Sequence, residues 1–321
     1  MDAILKSLLE QVSDLHGIPV GAYNIRNNGQ SESRNSTDTI QIVSKTDGKS
    51  GIDIIVKENT KNESVHIPAI ITETGINDLV YNDFYIGENA EVVIVAGCGV
   101  HNSGSEASMH EGIHRFFLGK NSKVTYIEKH IGEGEGTGER IINPQTHIFA
   151  EENSYMEMDT VQLKGVDSTN RVSSAKLAEG ATLIIKEKIM THGKQTAETA
   201  FTVELDGKGS SANLISRSVA KDNSKQVFRS VINGNSECYG HSECDAIIMD
   251  GGVVAAIPEI TANHLDATLI HEAAIGKIAG DQLTKLMTLG LTEKEAEQQI
   301  INGFLKWHYF FVFLPLFTRI L

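Results

Sequence analysis

One local pattern returns along the middle of this chain at nearly constant spacing, and few folds can accommodate it. An apolar residue is followed by a corner rich in Gly, Asn or Asp, and then by alternating apolar residues. The corners read GENAEV after Ile86, GKNSKV after Leu118, AEENSY after Phe149, AEGATL after Leu177, DGKGSS after Leu205 and NGNSEC after Ile232. Successive starts lie 32, 31, 28, 28 and 27 residues apart, and no helical stretch intervenes. Alternation at period two, as in Val92 and Ile94 or Val124 and Tyr126, marks strands with one buried face. Such strands stacked at a fixed interval bury their apolar faces on one another as a solenoid. A sandwich or closed barrel does not account for steady spacing over so long a stretch. The expected fold is mainly β: a right-handed parallel β-helix from about residue 38 to 272, flanked by helices.

Open solenoid ends expose unpaired strand edges and need caps. Residues 1–16 supply one amphipathic helix, with Ile4, Leu5, Leu8, Leu9, Val12 and Leu15 on one face and Gly17 at its end. The rest of 1–37 reads as an extended segment through Tyr23 and Ile25, then a solvated loop, NNGQSESRNST. Residues 273–306 read as two short helices. Asp281 is placed to cap the first, over Leu283, Leu286 and Met287, and Gly290 ends it. Thr292 and Glu295 form a capping box for the second. After Lys306 the chain runs WHYFFVFLPLFTRIL, too short and too interrupted by Pro315 and Arg319 to span a bilayer. This tail, 307–321, is read as an atypical extension without a function of its own.

Charge and cysteine content narrow the function classes. A net charge of -14 argues against a nucleic-acid surface, which needs a basic patch. Three cysteines, Cys98, Cys238 and Cys244, are too few and too unevenly placed for a disulfide framework, so a reducing compartment is expected. No apolar stretch follows the N-terminus as in a signal peptide, and the cytoplasm is the expected location.

Several motifs invite stronger chemistry. His110-Glu-Gly-Ile-His114 matches H-E-x-x-H, but a zinc protease needs that motif on a helix. Gly112 inside it and the strand-like run that follows favour histidines of a β-helix coil. The run Gly132-Glu-Gly-Glu-Gly-Thr-Gly138 lacks the order of a dinucleotide loop, and its glutamates would repel phosphate. Asp47-Gly-Lys-Ser50 lacks the first glycine of a phosphate loop. No nucleotide site is expected, so any ATP chemistry belongs to a partner. Cys98 stands between two glycines at a strand end, where a thiol can be approached closely. The stretch from His241 to Glu272 brings Cys244 and the adjacent pair His271-Glu272 into successive repeats. Thiolate, imidazole and carboxylate are the donors that hold iron, zinc or a nascent iron–sulfur cluster.

SECDAII, IPEITANHLDATLIHEAAIGKIAGDQL and LTEKEAEQQIINGF, in that order and spacing, resemble the C-terminal signature of the SufB/SufD family of the SUF iron–sulfur assembly system. IVAGCGVHN, EGEGTGERIINP and SRSVAKDNS resemble the shorter scaffolds of minimal SUF systems. The resemblance covers about residues 18–306, and the tail lies outside it. It departs from the pattern where the family's Glu before the His-Glu pair is Ile270 here, and the long N-terminal region of larger SufB proteins is missing.

The resemblance implies a β-helix core and residue roles. Cys98 matches the cysteine that accepts persulfide sulfur. Cys244 and Glu272 match the SufB cysteine and carboxylate at the subunit interface where the cluster is built. His271 aligns with histidines of both SufB and SufD, so a homodimer could complete the site as well as a SufB/SufD-type heterodimer. The helices from 281 to 306 match the region that binds the ABC-type ATPase SufC. The implied protein is an assembly scaffold without turnover of its own, carrying a transient iron–sulfur cluster at Cys244, His271 and Glu272. Its sulfur would come from a cysteine desulfurase or carrier. The alternative is a SufD-like adaptor that binds no cluster.

Overall fold

In the computed structural model, which describes residues 3–13 and 19–306, the repeats stack into a parallel β-solenoid. Helix α1 (Ala3–Ser13) comes first. Two antiparallel pairs follow, β1 (Ala22–Asn27) with β2 (Gln30–Asn35) and β3 (Ile40–Ser44) with β4 (Gly51–Val56). The coils begin with β5 (Glu63–Ile71), β6 (Asn77–Ile86), β7 (Glu91–His101), β8 (Ser108–Leu118) and β9 (Lys123–Glu133). They continue through β10 (Arg140–Ile142), β11 (Gln145–Ala150), β12 (Tyr155–Lys164), β13 (Ser168–Leu177) and β14 (Thr182–Thr191). The last are β15 (Thr196–Leu205), β16 (Ser211–Ala220), β17 (Lys225–Gly234), β18 (Tyr239–Ile248), β19 (Val253–Ala262) and β20 (Thr268–Gly276). Helices α2 (Gly280–Thr288) and α3 (Glu293–Leu305) complete the described chain.

The strands form two facing sheets. One runs β2-β1-β5-β7-β9-β12-β14-β16-β18-β20 and the other β19-β17-β15-β13-β10-β8-β6-β4-β3, with β11 also seated between β8 and β13. Register fixes the repeat. Glu91, Lys123, Tyr155, Thr182, Ser211, Tyr239 and Thr268 are successive partners, so the steps are 32, 32, 27, 29, 28 and 29 residues.

The corners explain the recurring Asn and Gly. Asn59, Asn89, Asn121 and Asn153 have φ of 59°, 56°, 55° and 54°, and Gly180 and Gly209 take over with 65° and 72°. Each donates its backbone N–H to a carbonyl of the next coil. This left-handed conformation costs most L-residues about 1–2 kcal/mol, and Asn and Gly least. Inside, Phe84 stacks on Phe116 with centroids 4.3 Å apart, and Tyr126 meets Phe116 edge-on.

Two expectations need correction at the N-terminal side. The stretch read as a solvated loop contains β2, because Asn28-Gly29, with φ of 46° and 78°, makes a two-residue hairpin turn. Helix α1 lies on the outer face of the first sheet, over β5, β7 and β9, and not across the open end. Leu5, Leu8, Leu9 and Val12 bury there with Ile25 and Ile70, each worth roughly 1.5–3 kcal/mol. The expected helix end at Leu15 and Gly17 lies outside the described residues, as does the tail 307–321.

The close approach of α1 is what Gly97 and Gly99 allow. A Cβ on Gly97 would stand 2.5 Å from the Val12 carbonyl oxygen and 2.7 Å from its Cβ. Gly97→Ala is therefore expected to lift the helix and lower stability by about 1–3 kcal/mol. Urea unfolding measures this, and an unchanged midpoint would contradict the packing.

The chain divides into two compact units at Gly276/Lys277. In the second, the expected cap at Asp281 moves: Ala279 is the N-cap of α2, without a side-chain bond, and Asp281 sits in the first turn. Thr292 and Glu295 do form a capping box on α3, and Gly290 follows α2 with φ of 97°. No helix among the described residues is long and apolar enough to cross a membrane.

Candidate functional site

Cys98 lies on β7 and points into the solenoid, where it is 6% exposed. The flanking glycines do not open a path to it, as the sequence suggested; their outer faces are covered by α1. Inside, the thiol lies beside His110, on β8 of the opposite sheet, and His130, on β9 of its own sheet. His110 Nδ1 lies 3.1 Å from Asp78 Oδ2. Asp78 is gripped in turn by Arg26, with Nη2 2.6 Å and Nε 2.8 Å from its oxygens. Thiol, imidazole and carboxylate thus stand in the order that activates a cysteine nucleophile.

The charges agree with that order. Burial pushes the Cys98 thiol up, but the positive charges of His110 and His130 beside it outweigh this and bring it down to about 7. Burial opposes the imidazoliums too, yet Cys98 and Asp78 raise His110 to about 10, and Glu128 and Cys98 raise His130 to about 9. For His114 burial wins: the charge of Glu128 raises it, but burial and the positive charges of His110, His130 and Arg171 take it down to about 4. It is the neutral member: its Nδ1–H donates to Tyr126 Oη at 2.9 Å, and that hydroxyl donates to Glu128 Oε1 at 2.9 Å.

From Cys98 a train of buried polar groups continues along the axis. His130 Nε2 is 3.4 Å from Glu128 Oε2, and Arg171 Nη1 is 2.8 Å from the same oxygen. Arg171 Nε is 3.6 Å from Glu187 Oε1. Glu187 accepts from Thr199 Oγ1 and Ser216 Oγ, both at 3.0 Å. Ser216 is the in-register neighbour of Cys244. Burial would raise Glu128, but Arg171 and His130 hold it well below its ordinary value. For Glu187 burial wins, and its carboxyl is raised.

Cys244, on β18, is 1% exposed and faces the interior. Burial, followed by the negative charges of Glu187 and Asp245, pushes its thiol up to about 12. The thiols at the two ends therefore differ sharply: one is lowered towards neutrality and the other is raised well above it. Cys238 is also buried, within the same apolar cluster as Cys244.

The three residues expected to share a site do not converge within one protomer. Cys244 pairs with Ala273, and Ser242 with His271, so Cys244 and His271 occupy the interior face on neighbouring strands, one diagonal step apart. Glu272 pairs with Glu243 on the outer face. Its Oε1 lies 2.6 Å from His241 Nε2, and His241 Nδ1 lies 2.9 Å from Asn213 Oδ1. His241, Glu243 and Glu272 bring ligand atoms within 4.8 Å of one another, among the described residues the one such group of His, Cys, Asp or Glu.

The zinc-protease motif is a strand. His110 and His114 both face inward while Glu111 faces out, so this carboxylate cannot serve a metal held between them. The glycine run has a structural cause. A Cβ on Gly132, Gly134, Gly136 or Gly138 would overlap backbone of Gly165, Asn102, Gly104 or Glu106, so this corner is backbone packed on backbone.

Asp78, His110, His130, Glu128, Arg171 and Glu187 were not anticipated as site residues. The signal was present as polar residues at interior parity, Tyr126, Glu128 and His130 on β9 and His110 and His114 on β8, where a solenoid should be apolar.

The fold and site together define a β-solenoid protein built around a buried thiol flanked by two histidines. The sequence matches the family described as SUF system FeS cluster assembly, SufBD core domain, over residues 80–304. It is 33% identical over 229 residues to an iron–sulfur cluster assembly SufBD family protein of Archaeoglobus fulgidus, covering 71% of this chain and 60% of that one. A Methanothermobacter thermautotrophicus SufBD family protein is 29% identical over 239 residues, 73% of this chain and 57% of the relative. One from Methanocaldococcus jannaschii is 27% identical over 260 residues, 80% and 81%. The chain belongs to the SufBD family of iron–sulfur cluster assembly proteins. It spans less than two thirds of the length of the Archaeoglobus and Methanothermobacter relatives.

Proposed function

We propose that this chain is a scaffold on which sulfur enters at Cys98, is relayed through the solenoid interior to Cys244, and is joined to iron there. The observation that carries the proposal is the train of buried polar side chains that runs from beside Cys98 to Ser216, the in-register neighbour of Cys244. A thiolate at Cys98 is the nucleophile that takes a sulfane sulfur, and its imidazolium neighbours hold it in that state near neutral pH. Cys244, protonated until a cation or base reaches it, is suited to become a ligand when iron arrives, because a coordinated thiol loses its proton.

The cargo site needs two copies. Glu272 cannot meet its own Cys244 across the strand, so its carboxylate is assigned to the Cys244 and His271 of a second protomer that meets this one along β20, the last strand of its sheet among the described residues. An ABC-type ATPase of the SufC kind, docking on residues 281–306, would supply the motion that brings iron to the pair. The sulfur originates with a cysteine desulfurase or a carrier of its product.

Anaerobic reconstitution with iron, a sulfane-sulfur donor and the ATPase tests the assignment. Cys244→Ala is expected to reduce cluster absorbance at least about tenfold, as loss of a metal ligand does. Wild-type yield in that variant would sink the cluster site and leave the non-binding adaptor as the better description.

A further inference from the structure

The proposed sulfur acceptor is buried beneath α1, and its approach is from the other side. A cavity of about 290 Å³ opens at the N-terminal mouth of the solenoid and ends on Cys98 and His110. Its walls come from the two antiparallel pairs that precede the coils and from β5, β6 and β7. The two pairs contribute Arg26 from β1, Arg34 from β2, and Lys45 and Lys49 from the loop between β3 and β4. Among the described residues no Asp or Glu lines it, in a chain whose net charge is -14. That concentration of one sign runs against the composition of the whole molecule.

The four cations are not equivalent. Arg26 is neutralised by Asp78, and Lys45 by Asp53 and Asp83. Lys49 lies 3.8 Å from Asp47 and 4.8 Å over the Tyr81 ring. Among the described residues Arg34 has only neutral partners: its Nε donates to Asn24 Oδ1 at 2.9 Å and its Nη1 to Ser44 Oγ at 3.0 Å. An uncompensated guanidinium at a cavity wall is a recognition group for a carboxylate. A second sign of a missing ligand lies deeper. Asn82 is 7% exposed, lines the same cavity, and its Oδ1 is buried without a hydrogen-bond partner. A buried acceptor left unmet costs about 1–3 kcal/mol, and an ammonium or N–H of a bound molecule would satisfy it.

We infer that the mouth cavity admits a small, negatively charged persulfide carrying a carboxylate, of the amino-acid type, and that Arg34 selects it for Cys98. The inference rests on Cys98 being the sulfur acceptor and adds the class of donor. The step is a thiol–persulfide exchange. Cys98 Sγ attacks the terminal sulfur of R–S–SH, the new S–S bond forms as the old one breaks, and R–S⁻ departs with the bonding pair. The leaving thiolate takes a proton from the His110 imidazolium, which recovers one from solvent. The products are the Cys98 persulfide and R–SH. The transferred sulfur keeps its oxidation state, so no oxidant or reductant is required. A persulfide tethered to a protein would have to extend a chain past the Arg34 hairpin into the same small space.

The full-length protein can be tested by mass spectrometry of Cys98 after exposure to cysteine persulfide, to inorganic polysulfide and to a protein-bound persulfide. Cysteine persulfide is expected to load Cys98 fastest. Arg34→Gln is expected to slow that loading about tenfold, and Arg34→Lys to restore part of it. Alkylation separates charge selection from access. In Arg34→Gln the rate with iodoacetate should fall relative to that with neutral iodoacetamide, while the urea midpoint stays near wild type. Equal loading by cysteine persulfide in wild type and Arg34→Gln overturns the inference. So does loading from the protein-bound persulfide alone, which would leave Cys98 as acceptor. If no donor labels Cys98, the acceptor role itself is wrong.

Discussion

Arg171→Met is expected to destabilise the protein by about 3–5 kcal/mol, the cost of leaving a buried carboxylate without its partner. Arg171 is 5% exposed and holds Glu128 at 2.8 Å and Glu187 at 3.6 Å, in the middle of the interior train. Methionine fills similar volume, so the loss reads electrostatics more than packing. The control is Arg171→Met combined with Glu128→Gln, which removes the stranded charge and should recover a large part of the loss. Urea unfolding with both variants measures it. A single variant as stable as wild type would mean that the ion train is solvated and not a dry, charged interior.

The second large effect is in thiol chemistry. At pH 7.5 Cys98 is expected to be alkylated at least tenfold faster than Cys244. With values of about 7 and about 12, their thiolate populations differ by about four orders of magnitude. The rate at Cys98 should rise through an inflection near 7, well below the ordinary thiol value. His110→Gln removes an imidazolium neighbour and should move that inflection upward. An inflection left in place by this change would show that His110 does not activate the thiol.

The signs for stability follow from the same shifts. Cys98 is lowered on folding, so its contribution is full above the ordinary thiol value and is lost as pH falls through about 7. His110 and His130 are raised, so theirs is full below the ordinary imidazole value and is lost as pH rises through about 9 and 10. The thiolate–imidazolium arrangement therefore belongs to the window between about 7 and 9.

Much of the architecture could be read along the chain, because a solenoid is a local repeat. The corner at Asn89, Asn121 and Asn153 needs a left-handed residue each time, and that need is written as Asn or Gly at a fixed place. The Thr292 capping box was equally legible, since both partners lie within one helical turn. The hairpin at Asn28-Gly29 was written in the sequence too, but its polar strands hid it; β2 is an edge strand with little to bury.

Other features have no local signature. Cys98 was legible as a thiol between glycines, yet those glycines serve α1, which folds back from more than eighty residues away. The H-E-x-x-H pattern was legible as two histidines on one strand face. That His110 meets Asp78 and Cys98 while His114 stays neutral against Tyr126 depends on which strand lies opposite across the interior.

What the sequence determined by itself is the parallel stack and its interior parity, because period and turn geometry are properties of neighbouring residues. Only the tertiary structure decided which of those residues meet. Coil stacking places residues about thirty positions apart side by side, and the two sheets then face each other across a buried interior. There the fields of His110 and His130 at Cys98, of Arg171 between two carboxylates, and of Glu187 near Cys244 act over a few ångströms with little screening.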